Sequence, residues 1–331
     1  MSANHNGSID RALQLIDAAA EAGADAVKLQ TYTADTLTLD CERSEFQITK
    51  GPWKGRSLHE LYDWAHTPWD WHPQLFERAQ SVGLDCFSSP FDVTAVDFLQ
   101  SLDCPAMKIA SFELVDHGLI AAAARTGRPM LMSTGMATDD EIAEAMAVAR
   151  ASGAEHILVL HCVSGYPTPL DQAMVQRVSS LQGMFGVPVG LSDHTLGSMA
   201  SIVAVAMGAC LIEKHMTLRR SEGGPDAEFS LEPSEFSQLC ADVREAWEAR
   251  GADVQNRPEV EASTRQFRRS LFVVEDLQPG DRITTENVRS IRPGDGLPPK
   301  HLEAILGRGV RVPVARGTPV SWDLLEGESG H

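Results

Sequence analysis

The sequence predicts an α/β protein: a (β/α)8 TIM barrel followed by a small β domain. Through the first 250 residues, short apolar runs alternate with amphipathic helical segments, which is the pattern of a parallel sheet covered by helices. Beyond that point the chain changes to short β-like pieces separated by proline and glycine. We therefore expect a barrel domain at residues 1–250, a linker at 251–265 and a second domain at 266–331.

Seven runs have the length and composition of buried parallel strands. They are Ala26–Thr31, Asp85–Pro90, Ala106–Ser111, Pro129–Thr134, His156–Cys162, Pro188–Asp193 and Cys210–Met216. A closed barrel needs eight strands, each followed by its helix, whereas this chain opens with MSANHNG and enters a helix at Ile9–Ala22. We expect the first strand to be absent from this chain and the native reading frame to begin upstream of Met1. An open seven-stranded sheet is the alternative, and it would leave an unpaired edge beside the site.

Composition and charge indicate which partners and which cellular location to expect. A formal net charge of -18 argues against nucleic acid and against acidic lipid surfaces as partners. Neither an apolar run long enough to cross a bilayer nor a secretory leader is visible, which predicts a cytoplasmic protein. The six cysteines have no C-x-x-C spacing, so we expect buried free thiols in a reducing compartment.

Two histidines follow neighbouring predicted strands in the stretch Pro188–Asp226. Strand alternation places Ser192 with His194 on one face and Glu213 with His215 on one face. Such residues meet at the carboxyl ends of parallel strands, where two imidazoles with carboxylates nearby can hold a divalent metal. The alternative is that each histidine only forms a hydrogen bond to a neighbouring strand.

Lysines and serines also collect at the predicted strand ends. Lys28 shares a face with Gln30, and Lys108 lies two strands further on. Five hydroxyl side chains decorate the strand ends or the turns after them: Ser89, Ser111, Ser133, Ser164 and Ser192. Buried lysines are costly unless an anion neutralises them, so the set indicates a ligand that carries phosphate and carboxylate groups. A structural ion pair, or a Schiff base formed by Lys108, remains open as an alternative.

A long connection, Thr33–Trp71, holds four of the six tryptophans of the chain. Because it leaves the carboxyl end of a strand, it would overhang the barrel mouth as a lid or a sugar-stacking wall. The alternative is a helical insertion whose aromatic residues pack on the outside of the barrel.

Long ordered motifs resemble the sialic acid synthase family. They are GADAVKLQTYTADTLTL, FSSPFD, KIASFE, STGMA, HCVSGYPTP, GLSDHTLG, IEKHM and GPDAEFSL, and the tail RSLFV to IRPGDGL is similar to the antifreeze-like (SAF) domain of that family. Within the family, SANHNG, KIASFE and the tryptophan-rich insertion look most like the pseudaminic acid synthase branch. Ser164 stands where neuraminate synthases carry asparagine, which disfavours the neuraminate substrate.

The resemblance implies a reaction and a set of site residues. Phosphoenolpyruvate would condense with an N-acetylated aminosugar, 2,4-diacetamido-2,4,6-trideoxy-L-altrose for this branch, with release of phosphate by C–O cleavage. We expect catalytic roles for Lys28, Lys108, Asp193 and Glu213, and a divalent metal, Mn2+ in preference to Mg2+ or Co2+, on His194 and His215. Phosphoenolpyruvate would be held by Lys28, Ser89, Lys108, Ser111, Ser133 and Ser192.

The implied acceptor contacts are Gln30, Glu113, Ser164, Tyr166 and Asp226. Arg292 in the tail domain matches an arginine that reaches the active site of the partner subunit, which implies a domain-swapped homodimer. Two other functions stay open from the sequence: neuraminate or legionaminate synthesis, and a non-catalytic sugar-binding relative. The family's first strand also ends in an acidic residue for which this chain has no counterpart.

Overall fold

The protein consists of two compact units, Met1–Gly251 and Ala252–His331. The structure, a computed structural model, describes residues 1–51, 53–251 and 257–327. Part of the predicted linker, 252–256, lies outside the described residues. None of the helices in the described ranges has the length and apolar character needed to span a membrane.

The first unit is built on a curled parallel sheet of seven strands whose spatial order is the same as their order in the chain. The strands are β1 (Ala26–Thr31), β2 (Asp85–Pro90), β3 (Met107–Ile109), β4 (Met130–Ser133), β5 (Ile157–Cys162), β6 (Val189–Asp193) and β7 (Ile212–Lys214). The prediction of seven consecutive strands is confirmed, and β1 and β2 have the predicted bounds. In-register pairing of each strand with the next aligns all seven carboxyl ends at one edge.

Helices precede, connect and follow the strands of this sheet. They are α1 (Ile9–Glu21), α2 (Ala34–Leu37), α3 (Leu58–Ala65), α4 (His72–Ser81), α5 (Val93–Ser101), α6 (His117–Arg125), α7 (Asp139–Ala151), α8 (Arg177–Phe185), α9 (Met199–Ala206) and α10 (Pro233–Arg250). Local chemistry starts several of them: Ser57 and Glu60 form a capping box on α3, and Thr138 and Glu141 form one on α7.

The core of the sheet lies under β3 to β6. Met107, Ile109, Met130 and Met132 are almost fully buried against the apolar faces of the covering helices. Such close packing fixes the strand backbones, so the side chains at their carboxyl ends are held in place. Truncating one of these core residues to alanine is expected to cost roughly 2–5 kcal/mol.

The two outer strands, β1 and β7, do not pair with each other in the described part of the chain. A cavity of about 570 Å³ lies between them and is lined by both strands and by apolar residues of α10 such as Phe236 and Leu239. The sheet is therefore an open barrel of seven strands, with two unpaired edges next to the functional end.

The second unit has its own small apolar core, which includes Leu271, Ile283 and Val310. It contains an antiparallel pair, β8 (Ser270–Val273) and β9 (Val288–Ile291), and one short helix, α11 (Leu302–Ile305). A 3-10 helix at Glu259–Phe267 occupies most of the described part of the predicted linker.

Candidate active site

A charged cluster joins the first and last strands of the sheet at their inner face. Lys28 on β1 donates a hydrogen bond to Glu213 Oε1 on β7 at 2.9 Å, and the Ser192 hydroxyl donates to the same oxygen at 3.0 Å. Burial alone would raise the pKa of Glu213, but Lys28 and Lys108 more than offset it and hold that pKa well below its usual range. Glu213 is therefore ionised, and its other oxygen, Oε2, is buried without a hydrogen-bond partner in the described ranges.

Lys108 is buried at the centre of the sheet with only 1% of its surface exposed. Its ammonium donates to Ser133 Oγ at 2.6 Å and to the carbonyl oxygen of Ile109 at 3.1 Å. Burial lowers the pKa of Lys108 to about 8, although the charge of Glu213 opposes that shift. One carboxylate thus faces two ammonium groups, and this surplus of positive charge suits an anionic ligand.

The predicted serines lie around the same centre. Ser89 Oγ is buried and has no hydrogen-bond partner among the described residues. Ser111 Oγ accepts a hydrogen bond from the backbone N–H of Gly135 at 3.0 Å. A Cβ atom at Gly135 would lie 2.2 Å from Ser164 Oγ and 2.8 Å from Ser111 Oγ, so only glycine lets these two hydroxyls converge there. The cluster therefore offers several hydroxyl donors to a phosphate or carboxylate.

The two predicted metal ligands, His194 and His215, lie beside each other with ring centroids 5.4 Å apart. His215 Nδ1 is buried, has no hydrogen-bond partner among the residues that the structure describes, and lies 3.9 Å from Asp226 Oδ2. Burial, with the nearby His194 and other positive groups, keeps the pKa of His215 well below its usual range. The imidazole is therefore neutral and keeps a lone pair for a metal.

His194 is oriented by the backbone of the neighbouring strand end. Its Nδ1 donates to the carbonyl oxygen of Val163 at 3.1 Å, and Cys162 Sγ lies 3.8 Å from the same nitrogen. This contact fixes the tautomer that leaves Nε2 as the acceptor, as in metal sites whose second ring nitrogen is held by a carbonyl.

The donor set fits a divalent metal with open coordination positions. Among residues 1–51, 53–251 and 257–327, no group of three or more His, Cys, Asp or Glu side chains is arranged to enclose a metal ion. The neutral imidazole of His215 and the neighbouring ring of His194, next to the side chain of Asp226, are nevertheless suitable ligands for an ion that takes its remaining ligands from a substrate.

Polar groups from the start of the chain complete one side of the site. Ser2 Oγ donates to Gln30 Oε1 at 2.8 Å and also forms a hydrogen bond with Asp226 Oδ2. The backbone N–H of Ala3 donates to the same carboxylate oxygen at 3.3 Å. Ser2 was not among the predicted site residues; its position within the SANHNG motif was the signal that could have identified it.

Tyr166 packs beside the histidine pair, and Glu113 lies in the turn that follows β3. The Tyr166 ring lies 4.5 Å from that of His194 and 5.2 Å from that of Phe229, between centroids. Glu113 Oε2 is buried and has no hydrogen-bond partner in the part of the chain that the structure describes, and burial raises the pKa of this carboxyl to about 7. Both side chains are therefore available to a ligand that enters between the strand ends.

Asp193 is not part of the cluster. Asp193 points away from Ser192 and His194, because adjacent residues of a strand face opposite sides. Its carboxylate accepts hydrogen bonds from Lys214 Nζ at 2.8 Å and from Ser201 Oγ at 2.6 Å. This is a buried ion pair on the helix side of the sheet, which corrects the expectation of a catalytic Asp193. Arg292 lies exposed in the second unit, after β9.

The tryptophans of the insertion are divided between the two predicted locations, the barrel mouth and the outside of the barrel. Trp53 reaches the site: its Nε1–H donates to the carbonyl oxygen of Pro225 at 2.9 Å, and its ring lies 6.0 Å from that of Tyr166. Trp69 instead stacks on Phe98 of α5 at 4.8 Å, as expected of a packing residue. The insertion is thus anchored to the barrel at one end and reaches the mouth at the other.

Comparisons with known proteins agree with this arrangement. The NeuB family model matches residues 15–255, and the SAF domain model matches residues 268–326. The pseudaminic acid synthase of Campylobacter jejuni subsp. jejuni serotype O:2 is 42% identical over 308 residues, with 93% of this chain and 90% of that protein covered. The pseudaminic acid synthase of Helicobacter pylori is 41% identical over 327 residues, with 98% and 96% covered.

A solved structure supports the same relationship. The N-acetylneuraminic acid (sialic acid) synthetase of Leptospira borgpetersenii serovar Hardjo-bovis, in complex with citrate, has a TM-score of 0.71 and 31% identity, with 79% of this chain and 86% of that one covered. The matched models span the inner-face lysines, the histidine pair and the separate tail unit. With the family model covering more than half of its length, the chain belongs to the NeuB family and carries a C-terminal SAF domain.

Proposed function

We propose that this protein is a pseudaminic acid synthase, which condenses phosphoenolpyruvate with 2,4-diacetamido-2,4,6-trideoxy-L-altrose and releases phosphate. The proposal rests on one observation: a lysine–glutamate cluster and a histidine pair lie together at the carboxyl ends of the strands. The lysines Lys28 and Lys108 face Glu213, and the orphaned imidazole of His215 lies beside His194. Identity of 41–42% to pseudaminic acid synthases over most of the chain favours this branch of the family.

The ammonium groups hold the donor substrate. Lys28 and Lys108 neutralise the phosphate and carboxylate of phosphoenolpyruvate, and Ser89, Ser111, Ser133 and Ser192 supply hydroxyl donors. Ser89 Oγ has no hydrogen-bond partner in the described part of the chain, so a ligand oxygen would satisfy it. Glu213 keeps Lys28 in place, and its negative charge offsets the repulsion between the two ammonium groups.

The histidines face the acceptor side of the site. His194 and His215 would hold a divalent ion, Mn2+ in preference to Mg2+ or Co2+, which would supply Lewis-acid polarisation of the sugar aldehyde. Gln30, Ser164, Tyr166 and Asp226 orient the sugar by hydrogen bonds and ring contacts. Glu113, with a pKa of about 7, can exchange a proton near neutral pH.

The bond changes balance without a further reactant except water. C3 of phosphoenolpyruvate forms a bond to the aldehyde carbon, whose oxygen takes up a proton. Water adds to the cationic C2 and loses a proton, and the C2–O bond to the bridging oxygen then breaks. The phosphate departs with that oxygen beside Lys28 and Lys108, whose charges stabilise it as a leaving group.

The test is a reconstituted reaction. The purified chain is incubated with Mn2+, the diacetamido sugar and phosphoenolpyruvate labelled with 18O at the bridging position, and products are identified by mass spectrometry. We expect a nine-carbon 2-keto acid and phosphate that carries the label. Unlabelled phosphate would contradict C–O cleavage, and unchanged substrates after long incubation despite measurable binding would favour a non-catalytic relative.

The choice of acceptor decides between members of the family. N-acetylmannosamine and the legionaminic precursor are tested beside the diacetamido altrose at equal concentration. A higher kcat/KM for either would assign neuraminate or legionaminate synthesis instead. Two features support the pseudaminate branch: Ser164 stands where neuraminate synthases carry asparagine, and the chain contains the tryptophan-rich insertion.

We also propose a homodimer in which Arg292 of one chain reaches the acceptor in the partner's site. The support is the similarity of the IRPGDGL turn to its counterpart in the family and the exposure of Arg292 within the second unit. A cytoplasmic location is proposed as well, because the six cysteines are all free thiols, as is usual in a reducing compartment.

A further inference from the structure

A second, smaller cavity lies behind the aromatic side of the active-site mouth. It has a volume of about 230 Å³ and is lined mainly by the insertion and by the loop after β7. Phe229 belongs to both places: its ring lines this cavity and lies 5.1 Å from the ring of His215, between centroids. The cavity therefore begins one aromatic ring beyond the histidine pair.

The insertion is fixed over this cavity by a small hairpin-like turn. The Ile48 N–H donates to the carbonyl oxygen of Arg56, and the Gly55 N–H donates to that of Ile48, both at 2.9 Å. The turn presents Trp53, whose hydrogen bond to Pro225 ties it to the loop that carries Asp226. The insertion thus contacts the loop that supplies an acceptor-binding residue.

The lining combines three kinds of group. Trp53, Trp64 and Phe229 supply apolar ring faces, and the Arg56 guanidinium lies 4.5 Å from the centre of the Trp64 ring. Lys54 and Arg56 are donors at the rim, and Glu228 is an acceptor there. A methyl group packs on indole, a carbonyl oxygen accepts from a cation, and an amide N–H donates to a carboxylate. These are together the requirements of an N-acetylamino group.

We propose that this cavity is a subsite for the N-acetylamino substituent of the acceptor sugar that lies farther from the aldehyde, with Trp64, Arg56 and Glu228 as specificity-determining residues. The inference rests on the proposed function, because it takes the acceptor aldehyde to be held at His194 and His215. It goes further by assigning a place for the second acetamido group, and it gives the insertion a role in choosing between acceptors.

The test compares two acceptors on the full-length protein. One carries two acetamido groups, 2,4-diacetamido-2,4,6-trideoxy-L-altrose, and the other carries one, N-acetylmannosamine. For Trp64→Ala we expect the KM of the diacetamido sugar to rise about tenfold, corresponding to loss of one stacked apolar contact. The KM of N-acetylmannosamine and that of phosphoenolpyruvate should stay unchanged. Equal changes for both acceptors, or no change, would overturn the proposal.

Two further variants protect the test against loss of folding. Arg56→Met and Glu228→Gln change the rim without removing an aromatic ring, and each should raise the KM of the diacetamido sugar selectively. Trp247→Ala is the matched control, since Trp247 is also an exposed tryptophan beneath an arginine, Arg250, but lies on α10. It should change neither acceptor's KM.

Binding separates failure of this inference from failure of the proposed function. Each sugar is titrated into the wild type and the three cavity variants by calorimetry in the presence of Mn2+. If the wild type does not turn over but binds the diacetamido sugar more tightly than its variants do, the proposed reaction fails while the subsite stands. If the wild type turns over and all variants bind both sugars as it does, the subsite is wrong.

Discussion

Lys28 and Glu213 connect the two unpaired edges of the sheet, with 2.9 Å between Lys28 Nζ and Glu213 Oε1. Their side chains are only 17% and 14% exposed, so solvent screens the pair weakly. No backbone ladder between β1 and β7 supports these strands in the described chain. The ion pair therefore links the two edges of the open barrel and holds Lys28 in position for the proposed anion site.

Lys28→Met should destabilise the protein by roughly 3–5 kcal/mol, because it leaves the buried carboxylate of Glu213 without its nearest partner. Urea unfolding measures the change. The control is Arg43→Met, which removes an exposed ion pair with Glu45 and should cost no more than about 1 kcal/mol. In the double variant Lys28→Met/Glu213→Met, part of the stability should return. A Lys28→Met variant as mild as the control would contradict this role.

The lowered pKa of Lys108 predicts that the KM of phosphoenolpyruvate depends on pH. With a pKa of about 8, its ammonium is present at neutral pH and is lost as the pH rises through that value. The KM of phosphoenolpyruvate should therefore rise above pH 8, approaching about tenfold per pH unit, because the anion loses a charged partner. Initial rates from pH 6.5 to 9.5 measure this, and a KM that stays flat across that range would refute it.

Stability gives an independent check of the same group. Burial places the folded-state pKa of Lys108 below its ordinary value of 10.5, so between about pH 8 and 10.5 the unfolded chain binds more protons than the folded one. Stability should therefore gain from this group as the pH rises through that interval. Lys108→Met should lack that gain, and unfolding measurements at pH 7.5 and 10 compare the two proteins.

The sequence predicted most of the inner face, because alternation along a strand is a local rule. It placed Ser192 with His194 and Glu213 with His215, and the same rule would have turned Asp193 outward. The alternation rule does not predict contacts between segments that are far apart in the chain. Ser2 meets Asp226 across 224 positions, and the different environments of Trp53 and Trp69 depend on which loop each one contacts. Composition alone does not distinguish those cases.

His215→Ala should abolish metal-dependent turnover, since His215 offers a neutral and unpartnered nitrogen next to His194. Binding of Mn2+, followed by calorimetry or electron paramagnetic resonance, should weaken at least about tenfold. His156→Ala removes an exposed histidine away from the cluster and should leave metal affinity unchanged. Full activity of the wild type in metal-free buffer would rule out this role.

Asp193→Asn tests the structural assignment of the buried pair. The side chains of Asp193 and Lys214 are each 1% exposed, so loss of one charge leaves the other buried without a counter-charge. This should lower the free energy of unfolding by roughly 3–5 kcal/mol. At temperatures where the variant is folded, kcat should remain close to that of the wild type. Ser192→Ala, one residue away on the inner face, should instead raise the KM of phosphoenolpyruvate with little loss of stability. A stable Asp193→Asn variant with a large loss of kcat would restore the catalytic assignment.

Arg292→Ala should raise the KM of the acceptor sugar far more than that of phosphoenolpyruvate, because the proposed contact is with the acceptor alone. Arg289→Ala, which removes an exposed arginine of β9 in the same unit, is the control. Mixing tests whether the contact crosses between subunits. When Arg292→Ala and His215→Ala chains are unfolded and refolded together, a heterodimer has one site with both residues intact, so roughly one quarter of wild-type activity should return. If Arg292 acted within its own chain, every site would lack one of the two residues and mixing would restore nothing.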